Sequence, residues 1–226
     1  MADYTFFKEI SYIMQKKLME YPNPKGSLKL RFIKGHFATS HSHINYYVDL
    51  TMTKHRLSEA KEAARLLANK YKTSTIIDTI LCLDGTEVVG ACMASELTRL
   101  GYSNINQHNT VYVVTPEHTT GSQLIFRDNT KMMITGKHVL VLAASVTTGY
   151  TVQGGIEAIR YYGGIPAGVC AIFASVDECL GYPVSSVFQA EGILDDYQSR
   201  QAPECPLCKA GVKVDAIVNT YGISFF

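Results

Sequence analysis

The chain has 226 residues, a formal net charge of +1, 46% hydrophobic residues and 18% charged residues. A chain of this length can bury one substantial core, and we predict a single domain over residues 1–226. The near-neutral charge gives no reason to expect a nucleic-acid partner. No apolar stretch approaches the roughly 20 residues that span a bilayer, so no membrane partner is predicted. Because the N-terminus also lacks the basic start and apolar segment of a signal peptide, a cytoplasmic location is expected.

The N-terminal third predicts two helices around a pair of strands. Apolar residues at helical spacing predict an amphipathic helix over residues 4–20, which Pro22 and Pro24 would end. The further elements expected here are strands at 28–32 and 46–50 and a helix over about 59–70 with Ser58 as its N-cap.

The rest of the chain alternates apolar strands with helices. In order, the pattern predicts a strand at 75–83, a turn at 84–86, a helix at 87–100 closed by Gly101, a strand at 111–114, a mobile loop at 115–123, a strand at 139–142, a helix at 152–162 and a strand at 166–174. Such alternation is typical of an α/β fold with a parallel sheet between helices. Ligands bind such a sheet beyond the carboxyl ends of its strands.

A hydroxyl-rich turn follows the apolar run at 139–142. It places several hydroxyl groups and one glycine between a buried strand and the start of a helix. The first N–H groups of a helix lack partners, and the helix dipole favours negative charge there. Hydroxyl groups add further donors for a phosphate. The predicted phosphate-binding residues are Ala144, Ser145, Val146, Thr147, Thr148, Gly149, Tyr150 and Thr151.

Residues 143–149 resemble the phosphoribosyl-pyrophosphate loop of type I phosphoribosyltransferases, in which an acidic pair precedes a Thr-Thr-Gly turn. Residues 35–50, with a Ser-rich turn and a Tyr-Tyr-Val-Asp strand, look like the hood of the orotate branch of that family. Residues 80–86 lie where the family has its pyrophosphate loop, and 111–114 match the strand before its catalytic loop. Residues 204–211 are similar to a tail found in some members.

The resemblance implies the type I phosphoribosyltransferase fold, a parallel sheet flanked by helices with a small hood subdomain. The N-terminal helix and hood would occupy residues 1–50, the core sheet 51–200, and a Cys-x-x-Cys tail 201–226. It assigns Leu83, Asp84, Gly85 and Thr86 to the pyrophosphate loop, and Glu117 and His118 to the mobile loop. It also implies a homodimer, with Mg²⁺ accompanying phosphoribosyl pyrophosphate.

The sequence departs from the family where the chemistry is concentrated. Ala143 and Ala144 stand where the family has the acids that bind the ribose hydroxyls, and the mobile loop lacks Lys and Arg. Only Asp84 and Glu87 offer nearby carboxylates, and no catalytic residue is assigned. Two interpretations therefore stay open. One is an orotate phosphoribosyltransferase-like protein that binds phosphoribosyl pyrophosphate or a nucleotide 5′-phosphate. The other is a catalytically impaired or regulatory protein that binds phosphate or a nucleotide.

Two groups of residues invite a metal interpretation. His41 and His43 alternate along an extended segment near His36, but no acid or Cys partner accompanies them in the sequence, so surface or hood contacts are favoured. Cys205 and Cys208 have the spacing of half a zinc knuckle. Because the second half is missing from the sequence, zinc at this pair is not expected, and no metal ligand is assigned.

Overall fold

The computed structural model describes residues 18–101, 104–107, 110–119 and 123–226. The hood is a mixed sheet whose strands come from both ends of this part of the chain. These strands are β1 (Met19–Pro22), β2 (Lys29–Ala38), β3 (His43–Asp49), β12 (Ser199–Arg200), β13 (Ala216–Asn219) and β14 (Gly222–Phe225). Their order is β12-β3-β2-β13-β14, with β1 pairing beside β13 on the same edge of β2. The C-terminal segment is therefore part of the hood sheet.

The core is a second sheet, in which five strands run parallel and one edge strand is antiparallel. Its strands are β4 (Thr79–Cys82), β5 (Tyr112–Val114), β8 (His138–Val146), β9 (Ile165–Ala174), β10 (Glu178–Cys179) and β11 (Tyr182–Gln189). Their order is β10-β11-β9-β8-β4-β5. A two-stranded hairpin, β6 (Glu117–His118) with β7 (Leu124–Ile125), stands apart from both sheets.

The described residues form six helices: α1 (Thr51–His55), α2 (Leu57–Ala68), α3 (Glu87–Thr98), α4 (Asp128–Lys131), α5 (Tyr150–Tyr161) and α6 (Pro206–Lys209), with a 3₁₀ turn at Ala202–Glu204. Of these, α2 and α3 pack on one face of the core sheet and α5 on the other. Alternation along β8 divides the core in two. Leu140 and Leu142 pack in the cluster that contains α2 and α3 residues, whereas Val139 and Val141 pack in the cluster that contains α5 residues.

The strand order creates a definite binding edge. The parallel strands β4, β5, β8, β9 and β11 have the spatial order 2-1-3-4-5 when numbered along the chain. The order reverses between the first and third of them, β4 and β8, which is the topological switch point of such a sheet. The predicted parallel sheet flanked by helices is confirmed, and its ligand crevice is expected where β4 and β8 end.

Several local predictions differ from the structure. Residues 4–17 of the predicted first helix lie outside the described residues. The prediction is wrong for Met19 and Glu20, because β1 pairs with β2 there. Ser58 is not an N-cap, since α2 begins at Leu57 and Arg56 is its N-cap residue. Helix α3 ends at Thr98 rather than at residue 100, because the backbone of Arg99 is extended. The sequence did not predict strands β1, β6, β7 and β10 to β14 or helices α1, α4 and α6.

Candidate functional site

A cavity of about 330 Å³ lies where the carboxyl ends of β4 and β8 meet the hood. It is lined by residues of the β2–β3 turn and strand β3, of α1, of the turn after β4, of the β8–α5 segment and of the β13–β14 hairpin, together with Phe173 and Tyr197. It coincides with the switch point of the core sheet, so the topology and the cavity indicate the same site.

The β8–α5 segment forms the wall of the cavity nearest the core sheet. Every residue from Ala144 to Thr151 lines it, as the predicted phosphate-binding segment requires. Ser145, Thr148 and Thr151 are exposed, and Thr147 is half-buried. Since α5 begins at Tyr150, the N–H groups of its first turn have no carbonyl four residues earlier within the helix. The wall therefore combines free hydroxyl donors with the positive end of a twelve-residue helix.

Gly149 is the residue that this turn requires. It is the N-cap of α5 with φ of 80°, in the left-handed region that side chains disfavour. A Cβ at this position would also meet Cys179 Sγ at 3.0 Å. A glycine therefore lets strand β8 turn sharply into α5 beneath the cavity.

Asp84 provides a carboxylate beside this wall. It lines the cavity and has φ of 58°, a left-handed conformation that Asp tolerates better than most residues. Its carboxylate accepts a hydrogen bond from the backbone N–H of Ala144. Burial raises the pKa of Asp84, although Lys54 and this hydrogen bond act in the opposite direction.

Lys54 joins the three parts of the molecule that meet here. It extends from α1 and is only 7% exposed. Its Nζ donates to the carbonyl of Asp84 at 3.0 Å and to the carbonyl of Thr220, in the β13–β14 turn, at 2.9 Å. Burial lowers the pKa of this amine, while the Asp84 carboxylate opposes the shift. An ammonium group has three donors, so one remains for a ligand in the cavity.

The other three residues predicted for the pyrophosphate loop surround Asp84 without lining the cavity. In the pyrophosphate loop, Leu83 is buried and Thr86 Oγ1 donates to the carbonyls of Leu83 and Leu142, at 2.8 and 3.1 Å. Neither residue lines the cavity, and neither does Gly85, among the parts of the chain that the structure describes. These three residues flank Asp84, which does line the cavity.

The expected mobile loop is partly a hairpin. Glu117 and His118 form β6, whose pairing with β7 was not foreseen because so short a run has no strand pattern. Both carboxylate oxygens of Glu117 accept hydrogen bonds from the Arg127 guanidinium, each at 2.6 Å, so Arg127 already pairs with this carboxylate. His118 lines a second cavity of about 400 Å³, which shares His41, Tyr150 and Thr151 with the first. Residues 120–122 of the predicted loop lie outside the described residues.

The two alanines that replace the family's acids are not equivalent. Ala144 lines the cavity, whereas Ala143 is fully buried in the cluster that packs against α5. Of the two carboxylates expected to compensate, Asp84 lines the cavity. Glu87 instead accepts a hydrogen bond from Thr115 Oγ1 at 3.2 Å.

Sequence reasoning missed Lys54 and the C-terminal wall. Asn219 and Thr220 line the cavity although they lie 46 and 47 residues after Phe173, the nearest core-sheet residue that lines it. A lysine in a short helix has no distinguishing pattern, and only the pairing of β13 with β2 brings the hairpin here. The aromatic residues Tyr46, Tyr47 and Tyr197 complete the wall on the hood side.

Comparison with solved structures bears on this arrangement. The structure resembles orotate phosphoribosyltransferase of Mycobacterium tuberculosis H37Rv, solved with Fe(III) dicitrate, with a TM-score of 0.51 and 19% identity over 71% of this chain and 90% of that one. The chain has the type I phosphoribosyltransferase fold. Leishmania donovani UMP synthase is also similar, with a TM-score of 0.52 and 16% identity. That match covers 84% of this chain and 37% of the longer protein.

The resemblance drawn from the sequence is thus confirmed for the fold. No protein-family model matches the chain. Across the residues that the structure describes, no helix has the length and apolar character that crossing a membrane requires.

The fold implies Mg²⁺ at this site, and the residues present fit it poorly. Protein-bound Mg²⁺ takes one or two carboxylates together with ligand phosphates. Asp84 is the only carboxylate among the described residues that line the cavity, and burial raises its pKa, which disfavours the charged form. A magnesium ion here would be held chiefly by the phosphate oxygens of its ligand.

We expect Asp84→Asn to raise the free energy of unfolding at pH 7. Because burial raises the folded-state pKa of Asp84, the ionised carboxylate opposes folding above that pKa, and the wild type recovers stability as the pH falls through it. The advantage of the variant should therefore shrink towards about pH 3.5, below the ordinary pKa of Asp. Asn keeps the acceptor for the Ala144 N–H and tolerates the left-handed backbone.

Urea unfolding across this pH range measures the effect. Asp128→Asn is the matched control, because contact with Lys131 lowers the pKa of that exposed carboxyl, and no stabilisation at pH 7 is expected from its removal. A wild type that is more stable than Asp84→Asn at pH 7 would contradict the assignment.

Proposed function

We propose that the cavity binds the ribose 5-phosphate part of phosphoribosyl pyrophosphate or of a nucleoside 5′-monophosphate. The observation that carries the proposal is the hydroxyl-lined β8–α5 turn at the switch point of the core sheet, with its donors facing the cavity. A helix N-terminus and three exposed hydroxyl groups suit a phosphate dianion, because every contact is a donor to a negative oxygen.

Asp84 and Lys54 extend the proposed contacts beyond the phosphate. The Asp84 carboxylate lies against the Ala144 backbone, beside the positions where the family has its acids. We assign it the ribose hydroxyl groups, which would donate to it. The remaining donor of Lys54 suits a second anionic group, such as a pyrophosphate oxygen. The raised pKa of Asp84 supports this role, since a carboxylate that opposes folding is typical of a functional site.

Thr148→Val and Ser145→Ala should each weaken binding of a 5′-phosphate, because each removes one hydrogen-bond donor and leaves shape nearly unchanged. A hydrogen bond to a charged group contributes about 1.5–3 kcal/mol, so we expect roughly a ten- to hundredfold loss of affinity from each substitution. Isothermal titration with inorganic phosphate, ribose 5-phosphate and a nucleoside monophosphate measures it.

Thr110→Val is the matched control, because Thr110 is exposed and does not line the cavity. Asp84→Asn separates the two subsites. This variant should weaken the binding of ribose 5-phosphate more than that of inorganic phosphate, since only ribose 5-phosphate has sugar hydroxyl groups that could donate to Asp84. Phosphate affinity that is the same in wild type, Thr148→Val and Ser145→Ala would place the anion elsewhere.

For chemistry at this site, we propose that transfer to orotate is absent or very slow. In the reaction, a base nitrogen bonds to ribose C1 while the bond from C1 to the pyrophosphate oxygen breaks, with positive charge on the sugar and negative charge on the leaving group. Losing one strong electrostatic contact costs on the order of 10²–10³ in rate. This chain has alanines in place of both acids and no Lys or Arg in residues 115–123.

The expected turnover with orotate and phosphoribosyl pyrophosphate is far below the ordinary range of about 1–10³ s⁻¹, and a value inside that range would refute the proposal. Ala144→Asp adds a carboxylate to the cavity wall and should raise affinity for phosphoribosyl pyrophosphate relative to inorganic phosphate. Ala143→Asp is the contrasting variant. It would bury a charge against α5, so lower stability without a gain in affinity is expected.

The proposed assembly is a two-fold homodimer with the hood near the interface. Tyr221 and Phe226, at the two ends of edge strand β14, are 95% and 80% exposed. Within the described part of the chain β14 pairs only with β13, and large exposed apolar residues beside such an edge suit a second copy of the chain. Light scattering should give twice the 25.0 kDa chain mass at micromolar concentration. The double variant Tyr221→Lys with Phe226→Lys should shift the measured mass towards that of a monomer. A monomeric mass for the wild type would contradict the proposed dimer.

A further inference from the structure

Four metal-ligating side chains from distant parts of the chain meet in the hood. His36 lies on β2 and His43 begins β3, while Cys205 and Cys208 lie at the ends of the Cys-x-x-Cys segment about α6. One ligand atom from each residue lies within 4.8 Å of all the others. None of the four lines the cavity described above, so the cluster is a separate feature of the fold.

The separations between the ligand atoms resemble the edges of a small tetrahedron. His36 Nε2 lies 3.0 Å from His43 Nδ1, 3.5 Å from Cys205 Sγ and 3.6 Å from Cys208 Sγ, and the last sulfur lies 3.2 Å from His43 Nδ1. Around a zinc ion with Zn–N bonds near 2.0–2.1 Å and Zn–S bonds near 2.3 Å, ligand atoms are separated by about 3.3–3.8 Å. A slight outward movement of His43 would bring its separations from His36 Nε2 and Cys208 Sγ to that size.

The orientation of His36 suits a ligand. Its Nδ1 lies 2.9 Å from the carbonyl of Val212, which can only accept, so Nδ1 carries the proton. The lone pair of Nε2 is then directed at the other three residues. A histidine that donates one ring N–H to a carbonyl while the other nitrogen faces the ion is the usual arrangement in zinc sites. Two hydrogen bonds between the backbone of His36 and Asp215 fix the strand in place.

The cysteine pair is presented by a compact turn. Pro206 opens a one-turn helix, and Gly211, with φ of 72°, reverses the chain after it. Hydrogen bonds from Gly211 N–H to the Cys208 carbonyl and from Val212 N–H to the Leu207 carbonyl close the turn. Both sulfurs thus face the same side. The histidine pair across the β2–β3 hairpin supplies the half of the site that is missing from the local sequence.

We propose that His36, His43, Cys205 and Cys208 bind a structural Zn²⁺ ion that fastens the C-terminal segment to the hood. Thiolate with imidazole is a ligand set that selects zinc over magnesium or calcium. Four protein ligands leave no open position, so the site is structural rather than catalytic. Binding requires both cysteines as thiolates, and their protons are released to solvent. This proposal departs from the expectation, drawn from the sequence, that the Cys205–Cys208 pair holds no zinc.

The site would also stiffen one wall of the cavity. The segment that follows the cysteines continues into β13 and β14, where Asn219 and Thr220 line the cavity and Thr220 accepts the hydrogen bond from Lys54. The zinc proposal does not depend on the function proposed for that cavity, because its test measures metal content and stability.

Metal analysis of the full chain tests the proposal. The protein is purified under reducing conditions, saturated with Zn²⁺ and freed of excess ion by gel filtration. We expect one zinc per chain in the wild type, and at least a tenfold loss of affinity in Cys208→Ser and in His43→Ala. Cys92→Ser is the matched control, because this half-buried cysteine lies outside the cluster, and it should retain one zinc. With Co²⁺ in place of zinc, the wild type should show the visible absorption of a tetrahedral thiolate site.

A second measurement needs no substitution. Cys208 is exposed, so alkylation should be fast in the metal-free protein and slow with zinc bound, and a chelator should restore the fast rate. Chelation should also lower the melting temperature of the wild type but not that of folded Cys208→Ser. Folded wild type with no more zinc than Cys208→Ser, or with an alkylation rate that zinc does not change, would overturn the proposal.

Discussion

The parallel pairing of β4 with β8 is the constraint on which the cavity depends. Their register sets Cys82 beside Leu142, and one step later Leu83 N–H donates to the Leu142 carbonyl at 2.8 Å. Thr86 Oγ1 donates to the same carbonyl, which binds the turn after β4 to strand β8. Strand β8 continues beyond this pair to Val146, so Asp84, in the turn after β4, comes to lie against Ala144. A shift of one residue in this register would turn the alternating core residues of β8 to the wrong faces.

The hood converts that edge into an enclosed site. A parallel sheet alone leaves its carboxyl edge open to water, but here the β2–β3 hairpin and the β13–β14 hairpin close over it. Lys54 ties the two layers together through carbonyl groups of Asp84 and Thr220. A buried amine with two fixed acceptors is costly to unpair, so these contacts hold the C-terminal hairpin near the core. The proposed zinc ion would act on the same hairpin from its other end.

The cavity keeps one part of the family's sequence pattern and lacks another. The phosphate part depends on backbone geometry, a glycine and hydroxyl groups, and this chain has all three at residues 145–151. The catalytic part of a phosphoribosyltransferase depends on placed charges, and here two alanines stand in their positions. Asp84, in the turn after the neighbouring strand β4, supplies one carboxylate to the cavity, and burial raises its pKa. The proposed binding of a phosphorylated sugar rests on the first part, and the proposed slow transfer on the second.

The sequence by itself determined strands β4, β5, β8 and β9 and helices α2, α3 and α5 of the core, the α/β class and the turn before α5. Each of these depends on residues that are close in the chain, such as the apolar run of β8 and the hydroxyls and glycine that follow it. The same local rules failed at Met19 and Ser58, where β1 pairs with the following strand β2 and α2 starts without a side-chain cap. Two alanines in sequence looked equivalent, but strand alternation places only Ala144 at the cavity.

Only the tertiary structure decided which distant residues meet. Lys54 reaches Thr220 across 166 positions, and His36 faces Cys205 across 169. Both contacts depend on the parallel pairing of β13 with β2, which leaves no periodic or compositional signal in either segment. The cysteine pair was visible in the sequence and its histidine partners were visible too. Their association was not, because a hairpin and a chain terminus are brought together by hydrogen bonds and packing that act in space rather than along the chain.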